Sequence, residues 1–333
     1  MKSTDLRRKQ FTTLVGFPRF LLPWLDRFYE PVEIDLVLHL IGRGATVAEV
    51  AGKAGRSASV TRELLHRAFK RGVVNRSGKS RYESADFHAR YEIWALFEGW
   101  QDVPEDIRKL LNEWEMTFYA RNHRRDIEAL KKSRRDFSAV CPEYVLLNEA
   151  ESLLEKVDHV YLWPCNCRAM VEGCKNPLTT CLRFSNSRGL GWEISRSRAV
   201  KILNEADRSG LMHSAEIGLT AEGGIEGAIC NCCSDCCFPH QLAEKQNALK
   251  LWPLTRYIAL RLKEKCTACG LCARRCPFGA FRTRKGSEGS KRKQIVFYHE
   301  LCRGCGLCST GCPEDAIVMD PLNHRCSLWD RIS

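Results

Sequence analysis

The sequence predicts an α+β chain of several domains, and three observations carry that expectation. Residues 31 to 84 pass from helical periodicity to a hairpin pattern, residues 165 to 237 hold nine cysteines, and a twelve-residue cysteine pattern occurs twice near the C-terminus. The divisions fall at 1–86, a helix-and-hairpin domain; 87–158, a helical connector; 159–255, a cysteine-rich domain; and 256–333, the domain of the repeat.

In residues 31 to 84 the stretches "PVEIDLVLHLIGRG", "TVAEVAGKAG" and "SVTRELLHRAFKRG" read as three helices, and "VVNRSGKSRYES" as a hairpin turning through Ser77 and Gly78. Thr46 with Glu49 forms a capping-box pattern, and Gly44, Gly55 and Gly72 punctuate the helices. Val60, Leu64, Leu65 and Ala68 are expected to share the inner face of the third helix, with Arg62, Arg67, Lys70 and Arg71 exposed. This succession resembles a winged helix-turn-helix domain, whose recognition helix would be 59–71. A docking or dimerisation module with solvated charges is the competing expectation.

Residues 87 to 157 read as helical and charged. "HVYLWP" at 159–164 reads as a short buried strand leading into Cys165, and a helix near 195–208 turns Val200, Leu203 and Ala206 inward, with Gly210 beyond its end. "GLGW" at 189–192 and "EGGIEG" at 222–227 read as turns.

Apolar residues make up 44% of the 333, enough for ordinary cores, while 19 cysteines far exceed the usual share. No run of eighteen apolar residues offers a membrane span. Arg7 and Arg8 precede an apolar stretch, but Arg19 and two prolines interrupt it and no small-residue cleavage site follows. Export is therefore not expected, cytoplasmic residence is, and structural disulfides are disfavoured. The formal charge of +12, reduced by any bound thiolates, concentrates at both ends of the chain. It would attract nucleic acid, an acidic protein partner or anionic substrates. No Gly-rich nucleotide fingerprint or P-loop is present.

"CTACGLCARRCP" at 266–277 and "CRGCGLCSTGCP" at 302–313 each follow C-x2-C-x2-C-x3-C-P, with Gly270 and Gly306 allowing close backbone approach. Segment 266–320 resembles a bacterial two-[4Fe-4S] ferredoxin domain, in which the fourth cysteine of each run serves the other cluster. The resemblance implies that Cys266, Cys269, Cys272 and Cys312 hold one cluster, and Cys302, Cys305, Cys308 and Cys276 the other. A basic insertion, "RTRKGSEGSKRK" at 282–293, separates the halves; a solvated loop and a partner contact are both open readings.

The middle cysteines fit no ferredoxin run. Cys165, Cys167, Cys174 and Cys181 are spaced x1, x6 and x6, while Cys230, Cys232, Cys233, Cys236 and Cys237 crowd "CNCCSDCC". Neighbours such as Cys232 and Cys233 point in different directions, so all five cannot serve one metal. Cys230, Cys233 and Cys236 have x2 spacings that a cluster or a zinc ion accepts. A further iron–sulfur centre shared by the two groups, a structural zinc site and a redox-active dithiol set compete, and the ferredoxin-like tail favours the first. His213 and His240 are candidate non-cysteine ligands.

The order of these segments is similar to that of multidomain ferredoxin-type iron–sulfur proteins of anaerobic prokaryotes. The resemblance implies an electron-transfer protein passing low-potential electrons through two [4Fe-4S] clusters to or from a middle centre. The alternatives are an iron–sulfur oxidoreductase with catalysis at that centre, and a redox-responsive DNA-binding regulator.

Overall fold

A computed structural model of the chain describes residues 2–40, 42, 44–78, 80–100, 102–132, 141–171, 174–220, 223–285 and 293–322. Cys326 and most of the basic insertion lie outside the described residues. Helices and sheets are mixed, and the chain divides into two compact units, Met1–Glu115 with Ser187–Leu190, and Met116–Asn186 with Gly191–Ser333. None of the described helices is long and apolar enough to cross a membrane.

The first unit begins with α1 (Lys2–Leu14) and α2 (Leu25–Phe28), followed by α3 (Pro31–His39), β1 (Ala45–Thr46), α4 (Val47–Ala54) and α5 (Ala58–Lys70). Next come β2 (Val74–Ser77), β3 (Arg81–Ser84), α6 (Phe87–Phe97) and the start of α7 (Glu105–Lys131). The three strands form one sheet with β3 in the middle. Local chemistry explains the helix starts. The Glu49 amide donates to Thr46 Oγ1 at 3.3 Å and the Thr46 amide donates to Glu49 Oε2 at 2.7 Å, so two otherwise orphaned donors at the start of α4 are satisfied. Packed rings form the core, with Phe17 on Phe87 at 4.7 Å and Phe28 on Trp94 at 4.6 Å between centroids.

Two expectations for α5 are corrected. Its inner face is Thr61, Leu65, Ala68 and Phe69, whereas Val60 is 49% exposed. Val60 precedes Thr61 by about 100° of helix rotation, which carries it off the buried stripe. Arg71 is not a free surface charge: its guanidinium meets Glu30 and Glu33 at 2.8 Å and Glu98 at 3.1 Å. Burial raises the Glu33 carboxyl despite this partner. Arg67 also pairs with Glu30, at 2.8 Å. Near the end of α5, Arg188 donates to the carbonyls of Phe69 and Val74 and, at 2.6 Å, to Asn75 Oδ1.

The second unit continues α7 and adds β4 (Glu143–Tyr144), α8 (Leu147–Glu155), β5 (Val160–Pro164), α9 (Asn166–Met170), β6 (Thr179–Arg183) and β7 (Trp192–Ile194). It goes on through α10 (Arg196–Arg208), β8 (Met212–Leu219), β9 (Ile225–Cys232) and α11 (Phe238–Lys245). Segment 87–158 thus supplies elements to both units. Six strands form one antiparallel sheet in the order β4-β8-β9-β6-β5-β7. Leu182, Ala215, Ile217 and Ile229 of the sheet join Leu153 and Leu154 of α8 and Ile202 and Leu203 of α10 in one apolar core.

The turn expected at 222–227 is shorter than the sequence suggests, because Ile225, Glu226 and Gly227 already belong to β9. Gly227 holds φ +115°, and a Cβ there would lie 2.0 Å from the Glu216 carbonyl oxygen, so the β8–β9 pairing requires glycine.

The chain then forms β10 (Tyr257–Arg261), α12 (Leu271–Arg275), β11 (Phe281–Arg284), β12 (Gln294–Phe297), α13 (Leu307–Thr310) and β13 (Ile317–Pro321). Strand β10 pairs with β13, and β11 with β12. Asp207 at the end of α10 anchors this part, accepting from Arg275 at 2.8 Å and from Thr310 Oγ1 at 2.8 Å.

Candidate metal centres

The two cysteine runs interleave in space. Cys266, Cys269, Cys272 and Cys312 line one depression of about 340 Å³, and Cys276, Cys302, Cys305 and Cys308 line another of about 300 Å³. Each set offers the four thiolates that a [4Fe-4S] cluster takes. Each run turns through a glycine at φ +80°, Gly270 or Gly306, immediately before a short helix. The sites also share their amide contacts to sulfur: Ala280 N–H donates to Cys276 Sγ and Ala316 N–H to Cys312 Sγ, both at 3.3 Å. Donors to sulfur favour thiolate over thiol. Burial pushes Cys272 up to about 11 and Cys305 up to about 12, so both need a cation to lose their protons near neutrality. Cys269 is exposed.

The nine middle cysteines divide into two groups. Cys230 and Cys232 are not in a loop: both lie on β9, opposite Ser214 and Met212, on the face turned away from Ile229. The β6–β9 register brings Cys181 beside Cys230. Cys165 precedes α9, Cys167 lies in its first turn, and Cys237 precedes α11. These six thiols are neighbours in series, Cys165–Cys167–Cys237–Cys232–Cys230–Cys181.

Hydrogen bonds from Cys165 and Cys237 hold Cys167 well below the usual thiol range, and those from Cys230 and Cys237 do the same for Cys232. Cys230 likewise lowers Cys181, while the donors Cys165, Cys230 and Cys237 are raised. The Phe238 amide donates to Cys167 Sγ at 3.3 Å, and Ser214 Oγ lies 3.4 Å from Cys232 Sγ.

The second group is tighter. One ligand atom each from Cys174, Cys233, Asp235 and Cys236 lie within 4.8 Å of one another. Cys174 Sγ and Cys233 Sγ are 3.9 Å apart, and the Asn176 amide group lies 3.6 Å from Cys174 Sγ. Burial pushes Cys233 up to about 11. For Cys174, burial is outweighed by the Asn176 amide and the Cys236 and Cys233 thiols, which hold it low. The x2 series Cys230, Cys233, Cys236 expected from the sequence is therefore split, because Cys230 faces Cys181 while the other two face Cys174.

Neither histidine joins the thiols through its recorded bonds. His213 is buried on the Ile229 face, where Nδ1 meets Asn231 Oδ1 at 2.7 Å, and burial lowers its pKa. His240 meets Glu244 at 3.4 Å and stacks near Phe278 at 5.1 Å. Sequence reasoning passed over Asp235 and Arg168, although Asp235 stands inside "CNCCSDCC" and Arg168 directly follows Cys167. Arg168 donates to the carbonyls of Pro177 and Asn231 and, at 3.0 Å, to Thr180 Oγ1, and its charge lies beside Cys165, Cys232 and Cys233.

No curated protein matches the chain. A family model described as a 4Fe-4S dicluster domain matches residues 265–316, the segment that contributes both four-thiol sets. The chain therefore carries a ferredoxin-like iron–sulfur part at its C-terminal end.

Proposed function

We propose that this chain is an iron–sulfur electron-transfer protein in which the C-terminal part exchanges low-potential electrons with a further centre held by the six-thiol chain. Cys266, Cys269, Cys272 and Cys312 hold one [4Fe-4S] cluster, and Cys302, Cys305, Cys308 and Cys276 the second. The observation that carries the reading is a single packed group: Tyr144, Met212, Cys232, Cys237 and Leu307 form one buried cluster, against which Cys230, Phe278 and Cys305 pack. One ligand of the second cluster thus belongs to the same packed group as three thiols of the middle site.

Clusters of this type supply one-electron transfer at a potential tuned by hydrogen bonds to sulfur and by burial. The chain's residues set those terms. Tyr144 and Leu307 are buried in the packed group that Cys232 and Cys305 share, which lowers its exposure to water. Arg168 and Arg183 offset thiolate charge beside Cys165 and Cys181. No three of the six sulfurs form a group as tight as that at Cys174 among the described residues. Their spread suits a polynuclear centre better than one tetrahedral ion. At the far end, exposed Cys269 lies in a segment with exposed Lys263, Lys265, Arg274, Arg282 and Arg284. An acidic redox partner in a reducing, anaerobic cytoplasm would complement that surface.

Anaerobically purified protein is expected to hold more than the roughly eight irons of two four-iron clusters. Cys232→Ser should bring iron down to about eight and remove one paramagnetic species on stepwise reduction while leaving two. Wild-type protein with eight irons and only two spin systems would sink the reading.

We further infer that residues 31–84 are a winged-helix-like docking module and not a reader of DNA sequence. Helices α3 to α5 followed by the β2–β3 hairpin support the likeness. The ion pairs of Arg67 and Arg71 with Glu30 and Glu33 offset two of the four basic charges expected to face a phosphate backbone. DNA binding is expected to be weak, salt-sensitive and without sequence preference. A binding selection that returns one strong motif at physiological salt would make the regulator the better account.

A further inference from the structure

The structure assigns Cys174, Cys233, Cys236 and Asp235 to a second, separate metal site, a single divalent ion of zinc type. This assignment stands independently of the electron-transfer reading.

Distance separates the two kinds of site. Thiolates on one tetrahedral zinc lie about 2.3 Å from the metal, which puts their sulfurs about 3.8 Å apart. Cys174 and Cys233 meet that spacing at 3.9 Å, and the whole four-atom set lies within 4.8 Å. The eight dicluster thiols form no set that tight among the described residues, as expected where sulfurs must surround a cubane. The cysteines at 174, 233 and 236 therefore have the spacing of ion ligands and not that of cluster ligands within the same chain.

The donor set has zinc chemistry. Three thiolates and one carboxylate give four ligands, and zinc, with no geometric preference from its d electrons, accepts sulfur and oxygen together. The charge is partly offset by Arg168, which stands beside Cys233. Asp235 accepts from the Cys236 amide at 3.1 Å, which orients its carboxylate.

The site also explains the paired cysteines. In Cys232-Cys233 and Cys236-Cys237 each doublet sends one thiol to each site: Cys232 and Cys237 pack with Tyr144 and Leu307, while Cys233 and Cys236 pack with Ala206 and Leu211. An ion there would tie the turn after β9 to Cys174, 59 residues earlier in the chain. That cross-link would fix the backbone from which Cys232 and Cys237 reach the other site.

Full-length protein purified without oxygen tests the assignment by elemental analysis and zinc-edge X-ray absorption. The expected result is about one zinc per chain with three sulfurs at about 2.3 Å and one oxygen at about 2.0 to 2.2 Å. Cys236→Ser should lose the zinc and keep its iron, and Asp235→Cys should keep the zinc with a four-sulfur shell. Wild-type protein without zinc overturns the proposal, as does a four-sulfur shell before substitution. Loss of iron in place of zinc from Cys236→Ser would return these thiols to the iron–sulfur centre, and would leave the electron-transfer reading intact.

Discussion

Cys276→Ser is expected to strip the iron held at Cys302, Cys305 and Cys308 and to spare that held at Cys266, Cys269 and Cys272. Cys276 lies in the first cysteine run, yet its thiol lines the depression of the second, and Cys312 makes the reciprocal exchange. Serine is a poorer iron ligand than thiolate, so about four irons per chain should be lost or a cluster of altered type should appear. Iron analysis together with anaerobic EPR checks this, with Cys312→Ser as the mirror experiment. Loss of the cluster nearer in sequence would refute the crossed assignment. Because Cys305 joins the packed group that holds Cys232 and Cys237, Cys276→Ser should also stop reduction of the middle centre by an external protein donor.

Arg168→Met should produce the largest loss of stability in the cysteine-rich part. Arg168 is 5% exposed and bridges α9, the Pro177 turn and strands β6 and β9. Methionine fills much of the volume but leaves the buried Asn231 carbonyl and Thr180 hydroxyl without their donor, at about 1 to 3 kcal/mol each. It also removes the cation beside Cys165 and Cys233, where bound metal would make both thiolates, so a total of about 3 to 5 kcal/mol is expected. In a unit of this size that corresponds to a fall of about 10 °C in the anaerobic unfolding midpoint. Metal should leave the middle sites while the two dicluster EPR signals persist. Arg168→Lys should recover only part of the loss, since an ammonium cannot fork to acceptors on separate strands. An unchanged midpoint and full metal content in Arg168→Met would contradict this account.

Sequence by itself determined the parts of this protein whose chemistry is local. The ligands at 266–276 and 302–312 repeat at spacings of three and four residues, so one turn of backbone sets their geometry and the motif could be read directly. Thr46 and Glu49 cap α4 across three residues, and Ala206 and Leu203 face inward on α10 because their helix carries one apolar stripe.

Tertiary structure decided what depends on contacts across the chain. Whether Cys230 belongs with Cys233 or with Cys181 follows from the β6–β9 register, which pairs residues almost fifty positions apart and turns alternate side chains to opposite faces. Arg71 reads as a surface charge until Glu30, Glu33 and Glu98 converge on it, and Val60 as a core residue until packing places the stripe one position along. Cysteine spacing says how many thiols a loop can offer. Which of them stand together is decided by the strands and helix ends that bring distant sulfurs side by side.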